Sequence, residues 1–256
     1  MNHVRVYIIK VAAYLLQFFN FRFYYHVCKL INRRNESDGV IQMGNARFSF
    51  PLDDPYWSRL ISKHFKYENE IDIWLGTQNL KKVAFVDCGA NIGYWTVRMN
   101  TLYHVNDLIS IEPNPQILKY LIKNVDEIRI RSGINLEILE GIVGKVSGAE
   151  GYDFYIDTSV GGHAGSSLSL NSSSHLVTTI QVKPVSLNKL LAKLLKRNNK
   201  VLIKLDVEGS ELDSIKSIDQ SFYSQITILY EDHGRDIKST TTKWLLDSNN
   251  FSLSFL

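Results

Sequence analysis

Val83–Thr96 reads VAFVDCGANIGYWT, and Leu108–Pro115 reads LISIEPNP. An apolar run of strand length ends in Asp87, a turn carrying Gly89 and Gly93 follows, a helix-forming segment begins, and a second apolar run delivers Glu112. That order is the order of a nucleotide-cofactor pocket. Glycines let backbone approach a ligand, a helix N-terminus offers unpaired N–H groups, and an acid about 20 residues on accepts ribose hydroxyls. The turn reads G-A-N-I-G rather than G-x-G-x-x-G, so no second glycine is placed for a pyrophosphate, which argues against a nicotinamide oxidoreductase. S-adenosylmethionine fits better, because it has no phosphate and carries a sulfonium charge that a carboxylate such as Asp87 favours.

Outward from this unit the chain alternates. Strands are expected at Val83–Asp87, Leu108–Ile111, Leu136–Val143, Val201–Leu205 and Ile226–Tyr230. Helices are expected at Gly93–Leu102, Gln116–Asp126, Leu187–Leu195, Glu211–Ile218 and Thr241–Leu246. Strand–helix alternation predicts an α/β fold with a doubly wound, mostly parallel sheet around one large core, its ligands bound beyond the carboxyl ends of the strands. Upstream, Val40–Met43 and Ala46–Phe50 read as a hairpin turning at Gly44-Asn45. Asp53-Asp54-Pro55 opens a helix through Tyr56–Lys66, and Glu68–Gly76 continues to a glycine stop. The divisions are thus 1–35, a basic aromatic helical arm; 36–80, a hairpin and helical lead-in; and 81–256, the cofactor-binding domain. Thr158–Ser174, rich in Gly and Ser, reads as a linker or as a lid near the site.

A second motif lies at Val201–Glu211, VLIKLDVEGSE. A buried strand ends in Lys204, Asp206 and Glu208, with Glu211 one step into the next helix, and crowding these charges is costly unless they pair or bind something. Two readings stand: a site, or a structural arrangement in which Lys204 pairs with Glu211 and the acids cap the helix at Ser210. The following strand ends in Tyr230-Glu231-Asp232-His233.

Together, VDCGANIGYWT, SIEPNP, IKLDVEGSELDSIKS and LYEDHG resemble the FkbM family of S-adenosylmethionine-dependent methyltransferases, over about residues 68–247. The resemblance implies a Rossmann-like class I methyltransferase fold with a seven-stranded sheet, and O-methylation of a sugar or polyketide-type hydroxyl. It places Asp87, Gly89, Asn91 and Gly93 in the cofactor loop, Glu112 on the ribose, and Lys204, Asp206, Glu208 and Glu211 near the transferred methyl. Asn114, just past Glu112, is a candidate for adenine. The chain departs from the family's pattern at its end, where Phe251–Leu256 is a single run without an antiparallel partner. Either the Val40–Phe50 hairpin or a neighbouring copy in a homo-oligomer then covers that edge, or the chain is truncated.

Methyl transfer is an in-line displacement, so proximity is the main lever, and a weakly acidic hydroxyl needs a base or a metal to lose its proton. The expected catalytic residues are Asp206, Glu208, His233 and Lys204, with His233 or Asp206 as base. Oxygen ligands suit Mg2+, for which Asp206 and Glu231 are the candidates. His163 and His175 lack metal-ligand spacing and read as loop histidines. Trp95 reads as core, or as a wall of the cofactor pocket.

Composition bounds the partners. The 256 residues carry 29 Lys and Arg against 26 Asp and Glu, yet residues 1–35 hold six of the basic residues and no acid. The bulk is slightly acidic, which argues against nucleic acid as substrate. Two cysteines, Cys28 and Cys88, exclude a disulfide framework and point to a reducing, cytoplasmic compartment. The arm's longest uncharged run, Val11–Phe21, is too short for the roughly 20 residues a bilayer requires. Its aromatic and cationic mix leaves two readings, a helix lying on the inner face of a membrane or a docking helix. The expected function is O-methylation of a sugar or glycan hydroxyl, such as that of a surface-polysaccharide intermediate. The alternatives are a non-sugar small-molecule acceptor and a non-catalytic protein that kept the cofactor fold.

Overall fold

The computed structural model describes residues 38–52, 54, 56–62, 64–130, 133–144, 151–157, 166–167, 177–207, 209–231, 240–248 and 250–254. The arm at 1–35, most of the Ser-rich stretch, His163, His175, Glu208 and His233 lie outside them. Where one large core was expected, the chain divides into two compact units, Met1–Gln78 and Asn79–Leu256.

In the first unit, β1 (Asp38–Met43) and β2 (Ala46–Pro51) pair antiparallel from Asp38 opposite Pro51 to Met43 opposite Ala46. The intervening Gly44 takes a positive φ of 57°, as a tight two-residue hairpin turn demands. The helix expected over Tyr56–Lys66 is only a 3-10 turn, Trp57–Ile61. Asp54 Oδ1 starts it by accepting the N–H groups of Tyr56 and Trp57, at 2.7 and 3.1 Å. Ser62 ends it in an extended conformation, its hydroxyl accepting the His64 N–H and so competing with the helix for the backbone. Helix α1 (Asn69–Leu75) follows and stops at Gly76.

The second unit is built on a five-stranded parallel sheet. Its strands are β3 (Val83–Cys88), β4 (Asp107–Glu112), β5 (Asn135–Glu140), β11 (Lys200–Leu205) and β12 (Ile226–Tyr230), in the spatial order β12-β11-β3-β4-β5. Between them run α2 (Tyr94–Thr101), α3 (Pro115–Arg129), α4 (Leu187–Leu194) and α5 (Glu211–Lys216), and α6 (Thr240–Asp247) follows β12. Because side chains alternate across a strand, Ala84, Val86, Ile109, Ile111, Val201 and Ile203 share one face, packed beneath leucines of α4 and apolar residues of α5 and α6. The opposite face carries Asp87, Ser110 and Lys204 together with α2 and α3. This is the doubly wound α/β fold.

Three expectations are corrected. Leu136–Val143 is two strands: the chain breaks at Gly141, and β6 (Ile142–Val143) pairs in parallel with β10 (Pro184–Val185) in a separate small sheet. Between them β7 (Tyr152–Asp157), β8 (Ser166–Ser167) and β9 (Val177–Val182) form an antiparallel sheet, with Phe154, Ile156 and Val182 in a core of their own with Ile142. The seven-stranded sheet is five-stranded among the described residues. Residues 251–254 form no strand; Phe251 and Leu253 pack on the main core as side chains, and among the described residues β1 and β2 pair with no strand but each other. Among the described residues no helix is long and apolar enough to cross a membrane.

Candidate functional site

In the strand order β12-β11-β3-β4-β5 the chain leaves β3 for β4 on one side and returns to β11 on the other. The crevice between the carboxyl ends of β3 and β11 is therefore the topological switch point, where open α/β sheets bind ligands. Both sequence motifs end there.

The turn after β3 is held by backbone. Gly89 and Ala90 donate to Ile111 O, each at 3.0 Å, and Gly93 donates to Ala90 O at 2.8 Å. Gly89 has φ +78°, and a Cβ there would stand 1.8 Å from the carbonyl oxygen of Asp206. Only glycine lets the two motifs touch backbone to backbone. Asn91, at φ +50°, takes the left-handed conformation that Asn tolerates better than most residues, and its Oδ1 accepts the Ile92 N–H. Asn124 reaches from α3 to donate to Ile92 O at 2.8 Å.

Glu112, at the end of β4, is 5% exposed. Its Oε2 accepts the Asn91 N–H at 2.9 Å and its Oε1 the Asn114 N–H at 2.8 Å. Burial nevertheless pushes its pKa up to about 7, against those two hydrogen bonds and with help from the charges of Asp87 and Asp206. Lys204, 5% exposed, points its Nζ at Asp206 Oδ2, 2.9 Å away. In register it stands opposite Asp87, which stands opposite Ser110 on β4. The carboxylates of Asp87, Glu112 and Asp206 are thus close enough around one turn to act on one another.

Residues 87–247, more than half of the chain, match the methyltransferase FkbM domain. The chain belongs to the FkbM methyltransferase family. Among solved structures it is similar to methyltransferase FkbM from Methylobacillus flagellatus KT, at 15% identity and a TM-score of 0.38, over 60% of this chain and 34% of that one. It is also similar to PH0793 from Pyrococcus horikoshii, provisionally called a transferase, at 11% identity and a TM-score of 0.30, over 50% of this chain and 56% of that one. The match therefore spans about a third of the length of the first structure. No curated protein matches the sequence.

Within this FkbM domain the signature residues divide by partner. The Lys204–Glu211 pair considered from sequence is replaced by Lys204–Asp206. Glu211 is buried, and its Oε1 accepts the N–H groups of Val207 and Gly209 at 3.3 and 3.1 Å, which shapes the loop into α5. Glu231 is exposed; its N–H continues the ladder to Leu205 O at 3.1 Å, and its carboxylate has an oxygen within 4.8 Å of one on Asp206. Asn114 is fully buried and its Oδ1 caps α3 by accepting the Gln116 N–H at 3.0 Å, so the role the structure displays is a cap. Trp95 is buried edge-on against Tyr94, with ring centroids 5.6 Å apart. A concavity of about 270 Å³ lined by Leu108, Leu136, Glu137 and Arg197 lies at the opposite end of the strands and takes no part in the site.

Two residues of the site were not singled out from sequence. Thr96 Oγ1 lies 2.6 Å from Asp87 Oδ2 and 2.8 Å from Ser110 Oγ, all three buried. The available signal was Ser110 itself, a hydroxyl in the middle of an otherwise apolar buried strand.

Proposed function

We propose that the protein transfers a methyl group from S-adenosylmethionine to a hydroxyl of a sugar or glycan. The observation that carries this reading is the contact of the Gly89 turn with Asp206, which joins the cofactor motif and the acidic motif at one crevice. The residues fit the donor. Each Glu112 oxygen accepts one backbone N–H and, as a carboxylate oxygen, has a further lone pair for a ribose hydroxyl. Asp87, Asp206 and Glu112 surround the turn with carboxylates that complement a cation. The donor supplies a methyl group made electrophilic by its sulfonium; the protein's part is to hold the acceptor oxygen in line and to receive its proton.

In this reading Asp206, paired with Lys204 at 2.9 Å, is one candidate to receive that proton, and His233, two residues past Glu231 in sequence, is the other. Asp206 and Glu231 are the start of an oxygen-ligand set for Mg2+, but the Lys204 ammonium already balances Asp206, so no step is routed through a metal. The basic aromatic arm favours an acceptor at a membrane surface on the cytoplasmic side.

The test is incubation of the full chain with methyl-labelled donor and separate panels of nucleotide sugars, lipid-linked glycans, free polysaccharide and small hydroxylated compounds. Label in a glycan, reduced at least about a hundredfold in Asp206→Asn by loss of the base, supports the reading. Label only in a small non-sugar compound, or donor binding with no turnover on any panel, rejects it.

A further inference from the structure

A buried carboxylate is costly unless its oxygens find donors, and Asp87 is 2% exposed at the end of the central strand. One donor is Thr96, on the first turn of α2 and fully buried, at the 2.6 Å expected of a hydroxyl bonded to a charged oxygen. A carboxylate only accepts, so Thr96 gives Asp87 its single proton, and its own oxygen is left to accept from Ser110 at 2.8 Å. The direction of the chain follows: Ser110 to Thr96 to Asp87, each bond polarising the next.

Its placement ties three elements together. Asp87 is the penultimate residue of β3, just before the glycine turn, Thr96 lies in α2 where that turn ends, and Ser110 stands on β4 two residues before Glu112. Valine has the shape of threonine, so packing alone asks for no hydroxyl at position 96. We propose that Thr96, backed by Ser110, is a positioning residue of the donor site, whose hydroxyl fixes the Asp87 carboxylate and with it the spacing between the glycine turn and Glu112. Thr96 acts through Asp87 and touches no substrate.

This inference rests on the donor-binding reading above, and calorimetric titration with S-adenosylmethionine of the full chain and of Thr96→Val, Thr96→Ser and Ser110→Ala separates the two. Thr96→Val is expected to weaken the donor about tenfold, the scale of losing one hydrogen bond to a charged group. Thr96→Ser, which keeps the hydroxyl and drops the methyl, is expected to restore affinity to within about twofold, and Ser110→Ala to lose about threefold, since only the outer link goes. If Thr96→Val does not fold, the ordering of Thr96→Ser and Ser110→Ala still decides. Wild-type affinity in Thr96→Val or Ser110→Ala, or a Thr96→Ser protein as weak as Thr96→Val, overturns the inference while leaving donor binding intact. No binding by the unsubstituted protein overturns both.

Discussion

The Lys204 ammonium lies 2.9 Å from the Asp206 carboxylate at the end of β11, with the lysine side chain 7% and the aspartate side chain 19% exposed. Removing one member of a pair so little hydrated leaves the other charge stranded, whereas removing both is milder. Lys204→Met is expected to cost about 2 kcal/mol, less than a fully buried pair would, because water still reaches Asp206. In a double-mutant cycle with Asp206→Asn, followed by urea unfolding, the two changes should couple by about 1 kcal/mol. Strict additivity would deny the pair any energetic role.

The two turn glycines should differ in what alanine does to them. At Gly89 the new methyl meets backbone, the Asp206 carbonyl at 1.8 Å, and strains a φ of +78°. At Gly93 the φ of +85° is equally strained, but the methyl meets a rotatable group, Leu121 Cδ1 at 2.7 Å. Gly89→Ala should therefore abolish donor binding and lower stability by about 3 kcal/mol or more, and Gly93→Ala should cost about 1–2 kcal/mol and retain weak binding. Thermal melts and calorimetry on both variants make the comparison.

Glu112 gives the protein a pH dependence of unusual sign for a carboxylate. Its pKa is about 7 when folded against an ordinary 4.5, so the folded chain binds this proton more tightly than the unfolded one. The stability it contributes is complete below pH 4.5 and is lost as pH rises through 7, a span worth about 3 kcal/mol. Ribose hydroxyls donate to the ionised form, so donor binding should release a proton and tighten as pH rises from 5 to 8. Calorimetry in buffers of different ionisation enthalpy reads that proton directly. Glu112→Gln should flatten both the stability profile and the affinity profile; unchanged slopes would rule Glu112 out as their source.

Asn114 separates a cap from a ligand contact. Asn114→Ala should cost about 1 kcal/mol through loss of the bond to the Gln116 N–H, and Asn114→Ser, which can also cap, should recover most of it. Donor affinity should stay at the value of the unsubstituted protein in both variants. A deficit in donor affinity shared by Ala and Ser would instead assign the amide to adenine.

How far the amino-acid order reveals this molecule depends on where the fold uses local rules. The central strands were legible because parallel strands buried on both faces are near-continuous apolar runs, as in VAFV and VLI, with a charge only toward the carboxyl end, and the glycine turn was legible because its backbone demands leave few residue choices. Tyr152–Asp157 and Val177–Val182 escaped because one face of each is polar and the run between them is rich in Gly and Ser. Ser58 and Ser62 gave no warning that the helix expected from Tyr56 would stop after one turn. In the site, Glu112 could be placed by its distance from Asp87 along the chain. The partner of Lys204 could not: Glu211, seven residues on, was the pairing considered, and the loop that follows the strand instead brings Asp206 to 2.9 Å from the ammonium.

The break at Gly141 has a consequence for how such a protein can diversify. A Cβ there would lie 2.5 Å from the Lys183 carbonyl, so β6 and β10 close on each other and residues 144–183 depart and return at neighbouring points. Whatever is spliced into that span hangs from a clasp of two short paired strands, and its length is of little concern to the five-stranded sheet. An insertion or deletion there is absorbed outside the parallel sheet, which is tied to the span through that clasp.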